Sequence, residues 1–202
     1  SRVEPMRYTE FLKPVDAFPP SILGATALEV TGAGSQVHFL RNHHCVLGAV
    51  ELKRVIPGGK ENAEHSDDKP MVSVLVSAGG QLHFKNNTAS CLPVLAKQIG
   101  DLAGSAAGLI LHGYVKATVQ GEGSAIRANG NSAQGSGGGI TLLGSGGHLE
   151  VSGGGTVGIA WNSAFISGAG ITILGNSRID VSGDGTLLSI RENTANTNMA
   201  GL

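Results

Sequence analysis

Residues 138–171 read GGITLLGSGGHLEVSGGGTVGIAWNSAFISGAGI. Three short runs of period-two alternation lie in this stretch, Ile140-x-Leu142, Leu149-x-Val151 and the run around Ile159, separated by glycine-rich turns. Such alternation gives each strand one apolar face and one outward face. The stretch opens on Gly138-Gly139-Ile140 and closes on Ala169-Gly170-Ile171, so a small-small-apolar triplet returns after 171 − 140 = 31 residues. The triplet stands again at Ala107-Gly108-Leu109 and Ala200-Gly201-Leu202, with spacings of 140 − 109 = 31 and 202 − 171 = 31. Equal spacings mark an internal repeat, and a period of this length points to a solenoid. Three short strands in each 31 residues fit one coil of a three-sided parallel β-helix, with apolar side chains stacked on their equivalents about 4.8 Å away.

Two more signatures recur. The first is a strand and turn of the form apolar-x-Val-Ser/Thr-Gly-x-Gly, from Leu28 to Gly34, Val74 to Gly80, Leu149 to Gly155, Ile179 to Gly185 and, more loosely, Ala117 to Gly123. Seven to nine residues after its Val comes apolar-x-x-Asn. This second signature runs from Phe39 to Asn42, Phe84 to Asn87, Ile126 to Asn129, Ile159 to Asn162 and Ile190 to Asn193, usually with Ser or Thr and then Ala close behind. The spacing predicts a core stack of Phe39, Phe84, Ile126, Ile159 and Ile190, and beside it a ladder of Asn42, Asn87, Asn129, Asn162 and Asn193. Stacked amides at a repeated turn satisfy one another and the local backbone.

The triplet Gly48-Ala49-Val50 lies 109 − 50 = 59 residues before Leu109, so 59 − 31 = 28 extra residues must sit in insertions. One falls around Pro57 to Pro70, a charged stretch expected to be a solvated loop. The other, Leu92 to Ser105, carries Val94, Leu95, Ile99 and Leu102 at the spacing of one short helix. The expectation is therefore an all-β chain, a right-handed three-sided parallel β-helix of about five coils over residues 28–202. Residues 1–27 are its lead-in or cap, and insertions occupy about 55–72 and 92–106. Leu202 stands where another coil would begin, and Ser1 is no initiator Met, so the repeat is expected to continue in a longer native chain.

Composition narrows the function. Glycine makes up 32 of 202 residues, about twice its usual share, and a net charge of −1 supplies no basic field for a phosphate backbone. Nucleic acid is not an expected partner. No apolar run reaches the ~18 residues of a membrane-spanning helix. Gly-x-Gly pieces recur at corners without a following helix or a Gly-Lys-Ser/Thr ending, so they are not phosphate loops, and no motif implies a cofactor.

Phe39-Leu40-Arg41-Asn42, Phe84-Lys85-Asn86-Asn87 and Gly137-Gly138-Gly139-Ile140 resemble the alternating Phe-x-x-Asn and Gly-Gly-Ala-[Ile/Leu/Val] motifs of the chlamydial polymorphic membrane proteins. The resemblance covers about residues 28–202, although three of the five Phe positions hold Ile and no triplet is a strict Gly-Gly-Ala. It implies a surface-exposed passenger of an autotransporter, located at the cell surface or outside the cell, and at the outer membrane if the source is bacterial. Similar repeats occur in large surface proteins of algae and protists. The expected role is a non-enzymatic adhesin passenger or stalk. A structural scaffold of an extracellular appendage and a polysaccharide-binding or polysaccharide-degrading β-helix are the alternatives. Expected partners are a protein or glycan at a cell surface, neighbouring coils of the same chain, and further copies in a larger array.

Several residues carry sharper readings. Cys45 and Cys91 follow Asn42 and Asn87 by three and four residues, which places them at the same corner of successive coils. A coil rise of about 4.8 Å suits a disulfide, and an extracellular location favours one over free thiols. Aligning Leu149 with Ile179 sets Glu150 beside Asp180 and His148 beside Arg178 on the outer face. That group reads as a carboxylate pair able to share a proton or flank a glycosidic bond, or as a checkerboard of exposed ion pairs. His38 and His83 each precede a motif Phe and read as strand surface or as metal ligands, with His43 and His44 nearby; no metal site is assigned. Trp161, the only Trp, stands outside the core positions, where it could stack on a sugar, meet a partner or pack on a turn. Asn86-Asn87-Thr88 is the one glycosylation sequon and makes Asn86 the acceptor in a eukaryotic source.

Overall fold

The computed structural model describes residues 27–44, 50–53, 72–91, 104–144 and 146–196. Among the described residues, all regular structure is β-strand and every strand pairing is parallel. The strands recur in sets of four. The first set is β1 (Ala27–Thr31), β2 (Gln36–Leu40), β3 (His43–His44) and β4 (Val50–Lys53), and the second is β5 (Val72–Ser77), β6 (Gln81–Lys85), β7 (Thr88–Ala89) and β8 (Leu109–His112). The third is β9 (Val115–Gln120), β10 (Ala125–Asn129), β11 (Ser132–Ala133) and β12 (Ile140–Leu143). The fourth is β13 (His148–Ser152), β14 (Thr156–Ala160), β15 (Ser163–Ala164) and β16 (Ile171–Ile173), followed by β17 (Arg178–Ser182), β18 (Leu187–Arg191) and β19 (Thr194–Ala195).

Each set gives one strand to each of four sheets, in the orders β1-β5-β9-β13-β17, β2-β6-β10-β14-β18, β3-β7-β11-β15-β19 and β4-β8-β12-β16. The third of these sheets is built from two-residue strands. From β7 onward its residues are the Ser or Thr and Ala that follow the ladder Asn, such as Ser132-Ala133 and Ser163-Ala164, while β3 holds His43-His44. The sequence reading saw that dipeptide without making it a strand, because two residues are too short to show alternation.

Apolar side chains meet in columns across the strands. Val30, Val76, Val119, Val151 and Val181 share one register position, and Val37, Leu82, Ile126, Val157 and Leu188 share another. From β5 to β14 these positions are buried, and the Phe39 and Phe84 rings stack with centroids 5.2 Å apart. Each fully buried Val, Leu, Ile or Phe contributes roughly 1.5–3 kcal/mol. The triplet glycines have a different cause. A Cβ at Gly139 would lie 2.3 Å from the Gly170 carbonyl oxygen and 2.6 Å from Ile159 Cγ2, so only glycine lets the next strand approach. Ala107 and Ala169 pack with Ala133 and Ala164 in a second, small-residue core.

The register corrects two expectations. Phe39 and Phe84 continue into Ala128, Ile159 and Ile190, so Ala128 and not Ile126 belongs to that stack. Ile126 is fully buried one column away. Residues 104–106, placed at the end of the second insertion, already belong to the wall, where the Ala106 N–H donates to the Ser136 carbonyl. The Pro57–Pro70 loop, the proposed helix from Leu92, the 1–27 lead-in apart from Ala27, and the chain end at Leu202 lie outside the described residues.

Candidate functional site

The corner between the second and third sheets repeats in every set, and it fixes the wall beside it. The residue before the ladder asparagine is left-handed each time, with φ of +55° at Arg41, +55° at Asn86, +66° at Gly130, +56° at Trp161 and +54° at Glu192. A non-glycine residue there costs roughly 1–2 kcal/mol. The following asparagine offsets that cost. Asn162 Nδ2 donates to the Asn193 side-chain oxygen at 2.9 Å and to the Ala128 carbonyl at 2.8 Å. Its own Oδ1 accepts from the backbone N–H and Nδ2 of Asn131, both at 2.9 Å. The same bonds run from Asn42 through Asn87, Asn131 and Asn162 to Asn193.

Asn129, expected in the ladder, is not in it; Asn131 takes the place. The stretch Ile126-Arg127-Ala128-Asn129-Gly130-Asn131 holds apolar-x-x-Asn twice, offset by two residues, and the larger hydrophobe marked the wrong copy. The period identifies the right one, since 162 − 131 = 31 while 162 − 129 = 33. Asn86 is exposed at its corner, and Cys91 is buried and disulfide-bonded. Cys45, the other cysteine of the sequence, lies outside the described residues.

The β13–β17 wall brings His148, Glu150, Arg178 and Asp180 together in the expected register. The charges are consumed locally. Glu150 pairs with Lys116, and that hydrogen bond holds its carboxyl below the ordinary range. Asp180 takes His148 Nε2 at 2.8 Å and Arg178 Nε at 3.3 Å. His148 is only 8% exposed, although a surface position was expected for it. Each carboxylate thus has its own cation, an arrangement unsuited to sharing one proton.

The β2–β6–β10–β14–β18 wall differs. Its outward positions read Gln36, His38, Leu40; Gln81, His83, Lys85; Ala125, Arg127, Asn129; Thr156, Gly158, Ala160; and Leu187, Ser189, Arg191. No carboxylate stands among them. The His38 and His83 rings stack with centroids 4.6 Å apart, and their Nε2 atoms lie 3.0 and 3.1 Å from the Gln36 and Gln81 side-chain oxygens. Face-to-face rings so occupied do not converge on a metal, and among the described residues no group of three His, Cys, Asp or Glu is placed to hold one. Burial, then His38, Arg127 and Lys85, push the His83 pKa down to about 4.

Further along this wall the outward column is interrupted at Gly158, and Ala160 is nearly as small. A cleft of about 510 Å³ opens there between Arg127, Trp161, Leu187 and Arg191. Trp161 is 57% exposed, with the Arg191 guanidinium carbon 5.5 Å from its ring centroid. Sequence reading singled out Trp161 but neither arginine nor Gly158. The signal was present in the aligned strands QLHFK, AIRAN, TVGIA and LLSIR, and the misplaced asparagine register hid it. Compared with known proteins, the chain matches no family model, no curated protein and no solved structure.

Proposed function

We propose that this chain is a non-enzymatic segment of a large cell-surface protein, a rigid adhesin passenger or stalk like those of the polymorphic membrane proteins. In this reading the parallel repeat is a right-handed three-sided β-helix of about five coils, the sheet of two-residue strands lying at one of its corners. The observation that carries it is the unbroken ladder from Asn42 to Asn193, which ties each repeat to the next through buried amides and resists bending between repeats. The disulfide at Cys91 supports an oxidising compartment. Paired charges on the β13–β17 wall favour a scaffold over a hydrolase.

The test is surface exposure on cells expressing the full-length protein. Antibodies raised against residues 28–202 are expected to label intact cells, and protease added outside is expected to remove the epitope. Labelling that appears only after lysis would overturn the proposal.

A further inference from the structure

We infer that the cleft around Gly158 is a binding site for an acidic polysaccharide, with Arg127 and Arg191 as the carboxylate contacts and Trp161 as the stacking platform. The inference deepens the surface-scaffold reading and rests on it only for where the ligand is met; the binding chemistry stands on the wall itself.

Three observations converge on the cleft. The first is charge. Lys85, Arg127 and Arg191 stand on a wall without an outward carboxylate, and no ion pair engages them among the described residues. Glu192 follows Arg191 at the adjoining corner, and among the described residues no ion pair joins the two. The neighbouring wall pairs its cations instead, so unpaired arginines are not a general habit of this surface. The second observation is Trp161. It occupies a left-handed position that glycine fills one repeat earlier, at Gly130, and gains little burial in return. The same corner is left-handed without glycine at Arg41, Asn86 and Glu192 too, so what sets Trp161 apart is its exposed indole beside the Arg191 guanidinium. The third is shape. Gly158 is not left-handed, and a Cβ there would meet only Arg127 Cγ, at 4.0 Å. Neither backbone conformation nor crowding demands glycine here, and its effect is to leave the cleft open.

The occupant follows from these features. The apolar face of a pyranose ring stacks on an exposed indole, and a guanidinium binds a uronate carboxylate through two parallel hydrogen bonds. Neighbouring strands lie about 4.8 Å apart, close to the advance of one sugar along an extended chain, so an oligosaccharide laid along the solenoid meets one strand per residue. Arg127 lines up with Ser189 and Arg191 with Asn129, so the two arginines stand two strands and two residues apart, and a chain crossing the strands obliquely over Gly158 and Ala160 meets both through separate carboxylates. The overall charge of −1 argues against nucleic acid, which needs a broad basic field.

Trp161 is the only tryptophan, so its fluorescence reports occupancy directly. Titration of the purified protein with an oligouronate hexasaccharide is expected to shift and saturate the Trp161 emission. Arg127→Ala and Arg191→Ala are each expected to weaken binding ~10-fold, the loss of one charge-assisted contact. Gly158→Asp, which the geometry admits without strain, is expected to abolish binding while the circular-dichroism spectrum stays unchanged. No saturable shift with the hexasaccharide would overturn the site. So would equal affinity for a neutral hexasaccharide, for polyglutamate or for a single-stranded oligonucleotide, since stacking alone or unspecific anion attraction would then explain the signal. Binding by a protein that antibodies do not reach on intact cells would remove the surface-scaffold reading and keep the site. Surface labelling without binding would do the reverse.

Discussion

The β13–β17 wall and the β10–β14–β18 wall share a scaffold and a repeat but treat charge in opposite ways. On the first, Lys116, His148 and Arg178 each face a carboxylate, Glu150 or Asp180. On the second, Lys85, Arg127 and Arg191 face none, and the side-chain column is broken at Gly158. Exposed ion pairs are worth little to stability, so the pairing on the first wall chiefly keeps its surface neutral. The difference teaches that the interior of a parallel β repeat fixes where side chains point, while each outward position is free to vary. Function is therefore to be sought where outward residues depart from mutual neutralisation.

The second wall is anchored at the asparagine corner through the Phe39, Phe84, Ala128 and Ile159 carbonyls, so the comparison breaks most completely there. Asn162→Ala removes donors from Ala128 O and Asn193 Oδ1 and takes the acceptor from Asn131. Several buried groups are left unpaired, for an expected loss of about 3 kcal/mol or more by denaturant titration. Asn129→Ala, two residues from the true ladder position, should cost about 0.5 kcal/mol or less. Equal losses would mean that the ladder contributes no more than ordinary surface polarity.

The parallel β repeat was legible in the sequence because 31-residue spacing and period-two alternation both report inward packing, which is what repeats. The triplet and valine strands from Val72 onward, β5, β8, β9, β12, β13, β16 and β17, fall at the register those motifs imply. The ladder was legible except where Ile126-x-x-Asn129 overlapped Ala128-x-x-Asn131, because a one-repeat search ranks Ile above Ala while the stack tolerates a small residue there. The cleft was not legible. It arises from residues two repeats apart, Arg127 and Arg191, and from a glycine whose meaning is the absence of a side chain. No linear motif joins them. Only the lateral register does.

A smaller effect separates stability from binding on the second wall. Trp161→Gly relieves a left-handed position, worth roughly 1–2 kcal/mol. Against that gain stand the lost Arg191 contact, about 0.5–1 kcal/mol at an exposed site, and the entropy glycine adds to the unfolded chain, about 0.5–1 kcal/mol. The net change in denaturation midpoint should correspond to less than about 1 kcal/mol of either sign. Oligouronate binding, followed calorimetrically because the fluorophore is gone, should disappear. A variant destabilised by several kcal/mol would instead assign Trp161 a structural role.

The smallest expected effect distinguishes the walls by pH. His83 has a folded pKa of about 4 against an ordinary value of 6.5, because burial and the nearby His38, Arg127 and Lys85 disfavour its charged form. Above pH 6.5 the ring is neutral in both states and stability is flat. As pH falls from 6.5 towards 4 the unfolded chain takes up a proton that the folded chain refuses, so stability declines; below about 4 this group adds nothing further. The ring is half-exposed, and screening reduces the loss to about 1 kcal/mol or less. Glu150 behaves oppositely in cause and in window. Its carboxyl is lowered by Lys116, so its contribution is present above the ordinary 4.5 and is lost only as pH falls below that. Denaturation midpoints of the wild type should therefore drop between pH 7 and pH 5, and His83→Gln should flatten that interval while leaving the steeper fall at lower pH. A wild-type midpoint that is level from pH 7 to pH 5 would mean that the His38–His83 stack opens to admit the proton, and that the second wall is no more sensitive to acid than the first.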